Sequence, residues 1–246
     1  MSTFIAATKR RSVVLVMAVF AAACALVVLA AVFGTHQVNS DDAPEISFDG
    51  LHLRGDSKAA IAYVKPDADF SGYDSFMMLD AYVAFKKNWE RRTKVAGRRI
   101  SNKDVERIKT EAAALLHETF RQELDDNGGY QFVEQSGDSV LILRPALIDM
   151  DITAPDVKVA GRVNSYVASA GSATLFLELY DSVSGEILAR LVDRRNAQQY
   201  GTAMWANKTT NRNEAKKMFR RWATQLRSGL DEIRAEAGQP ILSTQE

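Results

Sequence analysis

The sequence predicts an α+β fold: an antiparallel sheet of about five or six strands with two amphipathic helices packed on one face, preceded by an N-terminal transmembrane helix. Three observations predict it. Ser12 to Phe33 runs for 22 residues without a charge, which at about 1.5 Å per residue spans the roughly 30 Å hydrocarbon core of a bilayer. Two later stretches, opening at Ser101 and Asn211, repeat apolar residues every three or four positions, the helical period. Between them, Val140 to Arg195 alternates apolar residues with the period of a strand and carries the clearest hairpin signal in the chain.

Lys9, Arg10 and Arg11 precede the apolar run, and Asp41 and Asp42 follow it. Residues 1–11 are therefore expected in the cytoplasm, 12–34 as an uncleaved signal anchor, and the bulk of the chain across the membrane in the periplasm or outside the cell. The run exceeds the about 7 to 15 apolar residues of a signal-peptide core. Two other outcomes compete with retention: cleavage after Val32-Phe33-Gly34, and lipidation of Cys24 behind Ala21-Ala22-Ala23. Against lipidation, the mostly apolar stretch continues from Ala25 to Gly34, and a buried helical cysteine needs no function. Cys24 is the only cysteine, so the folded part makes no internal disulfide and no cysteine metal site. Setting aside the three basic residues of the N-terminus leaves 28 basic and 31 acidic groups, a balance that argues against nucleic acid as a partner.

Thr35 to Ser57 is acidic, with Pro44 and two glycines, and reads as a tether; residues 58–238 read as one α+β envelope domain and 239–246 as a disordered tail. Lys58 to Val64 is a short strand candidate, and Tyr73 to Phe85 a better one. Ser101 with Asp104 approximates a capping box, and the stripe Val105, Ile108, Ala112, Leu115, Leu116, Thr119, Phe120 and Leu124 gives the first helix its core face before Gly128-Gly129 ends it. Tyr130 to Glu134 is another short strand. In the strand from Val140, the even positions Val140, Ile142, Ala146, Ile148, Met150 and Ile152 are expected on one face and Leu141, Leu143 and Leu147 on the other, with a bulge or an edge at Pro145. Ala154 to Gly171 is a long connection. Ser172 to Gln198 is a hairpin whose turn needs Gly185. Asn211 with Glu214 caps the second helix, whose core face runs from Met218 to Ile233; Lys216, Arg220, Arg227 and Arg234 form its solvated opposite face, and Gly238 and Pro240 end it.

The phrases PALIDMDITAPDV, TLFLELYDSVSGEILARLVDRR, WANKTTN and RRWATQLRSGLDEI together resemble a bacterial family of exported envelope proteins, many of them predicted lipoproteins, known as the domain of unknown function thirty-three thirteen. The resemblance covers roughly Ala60 to Ala235. It implies an envelope location and a compact α/β domain, and it brings no activity, substrate or catalytic residue. The sequence departs from the family at Cys24, which lacks a clean lipobox.

No residue pattern fixes a catalytic mechanism. His36, His52 and His117 have no metal-ligand spacing, the two Gly-Asp-Ser triplets read as turns, and no phosphate or dinucleotide loop is present, so no cofactor is expected. Asp149 and Asp151 would project about 7 Å apart from one side of a strand, with Asp156 beyond a proline, and are the candidates for a metal or acid/base pair. The plain alternative is a strand turning polar as it leaves the core. Lys86, Lys87, Arg91, Arg92, Lys94, Arg98 and Arg99 stand against one acid, Glu90. Their functional reading is an anionic partner, a lipid headgroup or a glycopolymer; their plain reading is a solvated loop that pairs with the domain's own acids. The expectation is thus a non-catalytic accessory or binding module that meets an envelope protein or anionic polymer through a sheet edge or the basic segment. The alternatives are a hydrolase or metal-dependent enzyme centred on Asp149 and Asp151, and a structural component assembling through its membrane helix at Ala18 and Ala22.

Overall fold

The computed structural model describes residues 43–95, 98–152, 165–167, 171–196, 204–206 and 208–242. The expected transmembrane helix at 12–34, Cys24, His36 and Asp156 lie outside these residues. Among the described residues no helix is long and apolar enough to cross a membrane.

Strand length follows from how far each alternating run extends. The three long strands, β8 (Val140–Ile152), β10 (Gly171–Asp181) and β11 (Ile187–Asn196), form the middle of an eight-stranded sheet. The other members are short: β1 (His52–Leu53), β2 (Ile61–Val64), β3 (Ser75–Met78), β4 (Tyr82–Phe85) and β7 (Gln131–Phe132). The order is β1-β2-β11-β10-β8-β3-β7, with β4 also beside β8. Two small ribbons stand apart: β5 (Lys94–Val95) with β6 (Arg98–Arg99), and β9 (Ser165–Val167) with β12 (Met204–Ala206).

The α+β class is as expected, but the sheet is mixed. β3 and β4 run parallel to β8, and β3 is parallel to β7. The reason lies in the connection: the chain leaves β4, crosses through a long helix and returns to β8, and a helical crossover is what parallel neighbours require. The strand count is also higher than expected. β1 is too short to show a period, and the run Tyr73–Phe85 is divided in two, while β7 falls within the strand expected at Tyr130 to Glu134. The break falls opposite Arg144 and Pro145, which have no strand partner on that side, so the proline's missing N–H costs no ladder bond there.

The faces of β8 also differ from the simple alternation. Leu141, Leu143 and Leu147 join the core, and Met150 and Ile152 join them rather than the opposite face. Asp149 has φ 50, and Leu147 and Met150 stand opposite Val83 and Phe85. Two residues of β8 therefore oppose one of β4, a bulge that reverses the parity of everything after it. The strand β10 starts hard against this bulge: a Cβ on Gly171 would lie 2.1 Å from the Asp151 carbonyl oxygen, and its φ is +136.

Two long helices cover one face. Helix α2 (Asn102–Arg121) is preceded by the single turn α1 (Trp89–Arg92) and continues through a π-helical turn, Gln122–Asp126. Ser101 caps it, its Oγ accepting from the Asp104 N–H at 3.2 Å. Helix α3 (Lys208–Glu236) begins one turn earlier than its capping signal, because Lys208–Asn213 contains no glycine or proline to stop it; Asn211 and Glu214 lie inside the helix. The stripes of both helices pack on Leu141, Leu143, Leu147, Leu175, Leu177 and Leu179. Trp222 Nε1 donates to buried Asp193 at 2.8 Å, which pins α3 to β11.

Three stretches expected in solvent are built into the fold. Within the supposed tether, Glu45–Leu53 is a hairpin: Ile46 bridges His52, Ser47 N–H donates to the Leu51 carbonyl at 2.8 Å, and Gly50 takes φ 81 in the turn. Leu51 is 1% exposed. Arg234, placed on the solvated face of α3, is buried and donates to the carbonyls of Ser71 at 2.7 Å and Tyr73 at 2.9 Å. Arg227 pairs with Glu123 at 3.1 Å. The first part of the supposed tail is also held, since Arg234 donates to the Pro240 carbonyl and Leu242 packs on the core.

Candidate functional site

The basic segment leaves β4 and is gathered around one buried aromatic residue. Trp89 is 2% exposed. Its ring stacks on Phe85 with centroids 3.8 Å apart, and its Nε1 donates to the Ile152 carbonyl at 3.0 Å. Asn88, at φ 66, turns the chain into α1, and Thr93 closes it by donating through Oγ1 to the Trp89 carbonyl at 2.8 Å. The chain then forms the β5–β6 ribbon, in which Lys94 stands opposite Arg99 and Val95 opposite Arg98. With the tryptophan inside, Lys87, Arg91, Arg92, Lys94 and Arg99 are exposed.

Only one base of the segment pairs with an acid of the domain among the described residues. Lys86 is 4.0 Å from Asp151, and Arg91 donates to the Asn88 side chain. Among the described residues, Lys87, Arg91, Arg92, Lys94 and Arg99 meet no carboxylate within ion-pair distance. Elsewhere several bases are answered, although exposed Lys103, Arg220 and Arg221 also have no ion pair among the described residues. Lys58 pairs with Glu232 at 2.8 Å, Lys65 with Glu186 at 2.6 Å, Arg107 with Glu111 at 3.0 Å, and Arg212 with Glu118 at 2.9 Å. Five exposed bases against Glu90 therefore leave the local field positive, on a scaffold fixed by packing.

The carboxylate candidates sit beside this segment. Asp149 is the bulge residue of β8, and Asp151 faces Lys86. Among the described residues, no group of three or more His, Cys, Asp or Glu side chains gathers where a metal ion is held. A groove of about 830 Å³ runs between β4 and α2, lined by Asp80, Tyr82, Glu106, Lys109 and His117, without Asp149 or Asp151. Lys109 pairs with Glu106 at 2.8 Å and Glu118, also in its lining, with Lys216 at 3.5 Å, while Asp80 has no ion pair among the described residues. The outer edge of β4 has no strand beside it among the described residues. His52 lies in β1, apart from this groove.

One polar constellation has no counterpart among the sequence expectations. On the sheet face away from the helices, Glu178 accepts from Arg190 at 2.9 Å, from Arg144 at 3.2 Å and from the Tyr180 hydroxyl at 2.9 Å. Arg190 also donates to Asp49 of the N-terminal hairpin at 3.0 Å and lies between the rings of Phe48 and Phe176, 5.2 and 5.7 Å from their centroids. Burial raises the Asp49 carboxyl pKa, but hydrogen bonds from Arg190 and Ser47 outweigh it and hold the group below its ordinary value. Burial and the neighbouring Glu178 push the Tyr180 phenol up to about 12. Two arginines answer two carboxylates, so the cluster is neutral and fastens the hairpin to the sheet. Its signal was present in the register: Glu178 stands opposite Arg144 on one side and Arg190 on the other.

A family model described as protein of unknown function DUF3313 matches residues 47–226. The chain belongs to this family. The match begins inside the Glu45–Leu53 hairpin, so that hairpin is part of the DUF3313 domain. No curated protein matches the chain. Among solved structures, the DUF3313 chain is similar to a PelC dodecamer from Paraburkholderia phytofirmans, at 11% identity and TM-score 0.31 over 63% of this chain and 89% of that one. Protein XCC0632 from Xanthomonas campestris is similar at 10% identity and TM-score 0.37, over 68% and 89%. A putative neuraminyllactose-binding hemagglutinin homolog from Helicobacter pylori is similar at 11% identity and TM-score 0.31, over 67% and 89%.

Proposed function

We propose that this DUF3313 protein is a non-catalytic binding module of the cell envelope, held at the cytoplasmic membrane by Ser12–Phe33 with its domain in the periplasm, and that it engages an anionic partner through the basic segment. The observation that carries this is the set of five exposed bases on a Trp89-anchored turn, none with a carboxylate within ion-pair distance among the described residues. A loop that merely stayed in solution needs no buried tryptophan to hold it. The groove beside β4 gives less support to an anionic partner, because its lysine is already paired with Glu106 and Asp80 adds negative charge.

The test uses the full chain in detergent micelles and an anionic glycopolymer or lipid as bait. Substituting Lys87, Arg91, Arg92, Lys94 and Arg99 together by Gln is expected to abolish capture, and added salt to weaken it in the native protein. Capture that survives both changes refutes the assignment. Mass spectrometry of the mature N-terminus checks the anchoring: an intact residue 1–34 segment supports it, and a chain beginning after Gly34 or lipidated at Cys24 replaces it.

A further inference from the structure

The geometry points to a phosphate clamp: Lys94 and Arg99, directly opposite one another across β5 and β6, grip the phosphate of an anionic lipid headgroup between them. This rests on the anionic partner proposed above and narrows it to one chemistry and one source. In an antiparallel pair, opposed residues have Cα atoms about 4.5–5.5 Å apart. Like charges at that separation oppose the pairing. The domain does nothing to relieve them: Glu90 is the only acid between Lys86 and Arg99, and it makes no ion pair among the described residues. The ribbon nevertheless forms, on a turn held by Trp89. A pair of cations kept together without a counter-charge is a receptor for an anion.

The two side chains differ in a way that suits phosphate. Arginine offers a planar fork that takes two oxygens, and lysine a compact point charge. A carboxylate presents its two oxygens in one plane and is satisfied by the fork alone. A phosphate is tetrahedral, so oxygens remain for Lys94 after Arg99 is engaged. Arg91 and Arg92, on the preceding turn, extend the positive surface to neighbouring headgroups. A membrane supplies such groups as a dense array, and the chain carries its own route to one: only 11 residues separate Phe33 from Glu45, the start of the first hairpin. A short tether of this kind raises the effective concentration of the lipid surface without adding a contact.

The experiment places the full chain in nanodiscs of phosphatidylglycerol or of phosphatidylcholine, whose choline neutralises its phosphate, and follows tryptic cleavage after Arg91 and Arg92 by mass spectrometry. Cleavage is expected to be slower in phosphatidylglycerol. Lys94→Gln with Arg99→Gln should remove the protection, since two surface cations together account for about a thirtyfold change in surface affinity. Lys94→Glu separates binding from folding. It turns the repelling pair into an attracting one, so it should raise the melting temperature by about 1–3 °C while abolishing protection. Protection that persists in the double Gln variant overturns the clamp but leaves the anionic partner standing. Protection by added soluble polyphosphate, with none in phosphatidylglycerol, overturns the lipid as its source. If neither phosphatidylglycerol nor polyphosphate slows cleavage, the clamp falls, and the anionic partner stands or falls on the glycopolymer capture described above.

Discussion

Arg190 in the sheet and Arg99 on the small ribbon carry the same guanidinium, and their neighbourhoods treat it in opposite ways. Arg190 is 6% exposed and is held by Glu178, Asp49 and two aromatic rings. Arg99 is exposed, faces Lys94 across the ribbon and, among the described residues, has no carboxylate within ion-pair distance. The first site was taken out of water together with its counter-charges, so its worth is structural. The second keeps its charge available at the surface, where it contributes little to folding. Composition alone does not separate the two; the fold decides by supplying acids in register with one and none to the other.

The contrast is broken most sharply at Arg190. Arg190→Ala leaves Glu178 and Asp49 without their main partner and should lower the unfolding free energy by about 3–5 kcal/mol, read by chemical denaturation, with anionic binding unchanged. A loss below about 1 kcal/mol would show the cluster to be dispensable. Trp89→Phe tests the other side. It deprives the Ile152 carbonyl of its donor, which should cost about 1–3 kcal/mol, and by loosening the basic turn it should weaken anion capture as well. A variant that loses stability while keeping full capture would detach the turn's rigidity from its function.

A smaller effect appears with pH. The Asp49 carboxyl sits below its ordinary value of 3.8 in the folded state. A depressed pKa adds stability that is fully present above the unfolded value and disappears as pH falls through the folded one. The acid limb of the stability curve should therefore begin near the ordinary carboxylate range and extend below it, and Asp49→Asn should flatten it. An unchanged acid limb would assign it to other depressed carboxylates, such as Asp181. The smallest expected effect on stability belongs to the five Gln substitutions in the basic segment, within about 0.5 kcal/mol.

The sequence made the long elements readable because their periods repeat. The stripe from Val105 to Leu124, the face from Met218 to Ile233 and the turn at Gly185 all lie where their spacing puts them. What it concealed depends on single residues or on remote pairing. The Asp149 bulge is one residue long and changes which side Met150 faces. The parallel placement of β3 and β4 is set by the crossover rather than by their own side chains. The Glu45–Leu53 hairpin had a local signal, Asp49-Gly50, but its acidic surroundings resembled a tether. In the candidate site, the cluster of bases was visible as composition. That Trp89 is the buried residue gathering them, and that Lys94 is matched with another cation, required the fold.

The split edge of the sheet bears on the order in which the molecule assembles. Tyr180 and Ile187 meet across a short turn, whereas Ser75 must find Val140, 65 positions further on. Closing the shorter loop costs less chain entropy, so the hairpin of β10 and β11 is expected to form ahead of the β3 and β4 pairings. Pulse-labelled hydrogen exchange should then show the amides of β10 protected before those of β4, and simultaneous protection would rule the sequence of events out. The basic turn is suspended between β4 and α2. On this order the basic turn sets after the hairpin of β10 and β11, so the polar cluster around Arg190 has its strand pair before Lys94 and Arg99 are brought opposite one another.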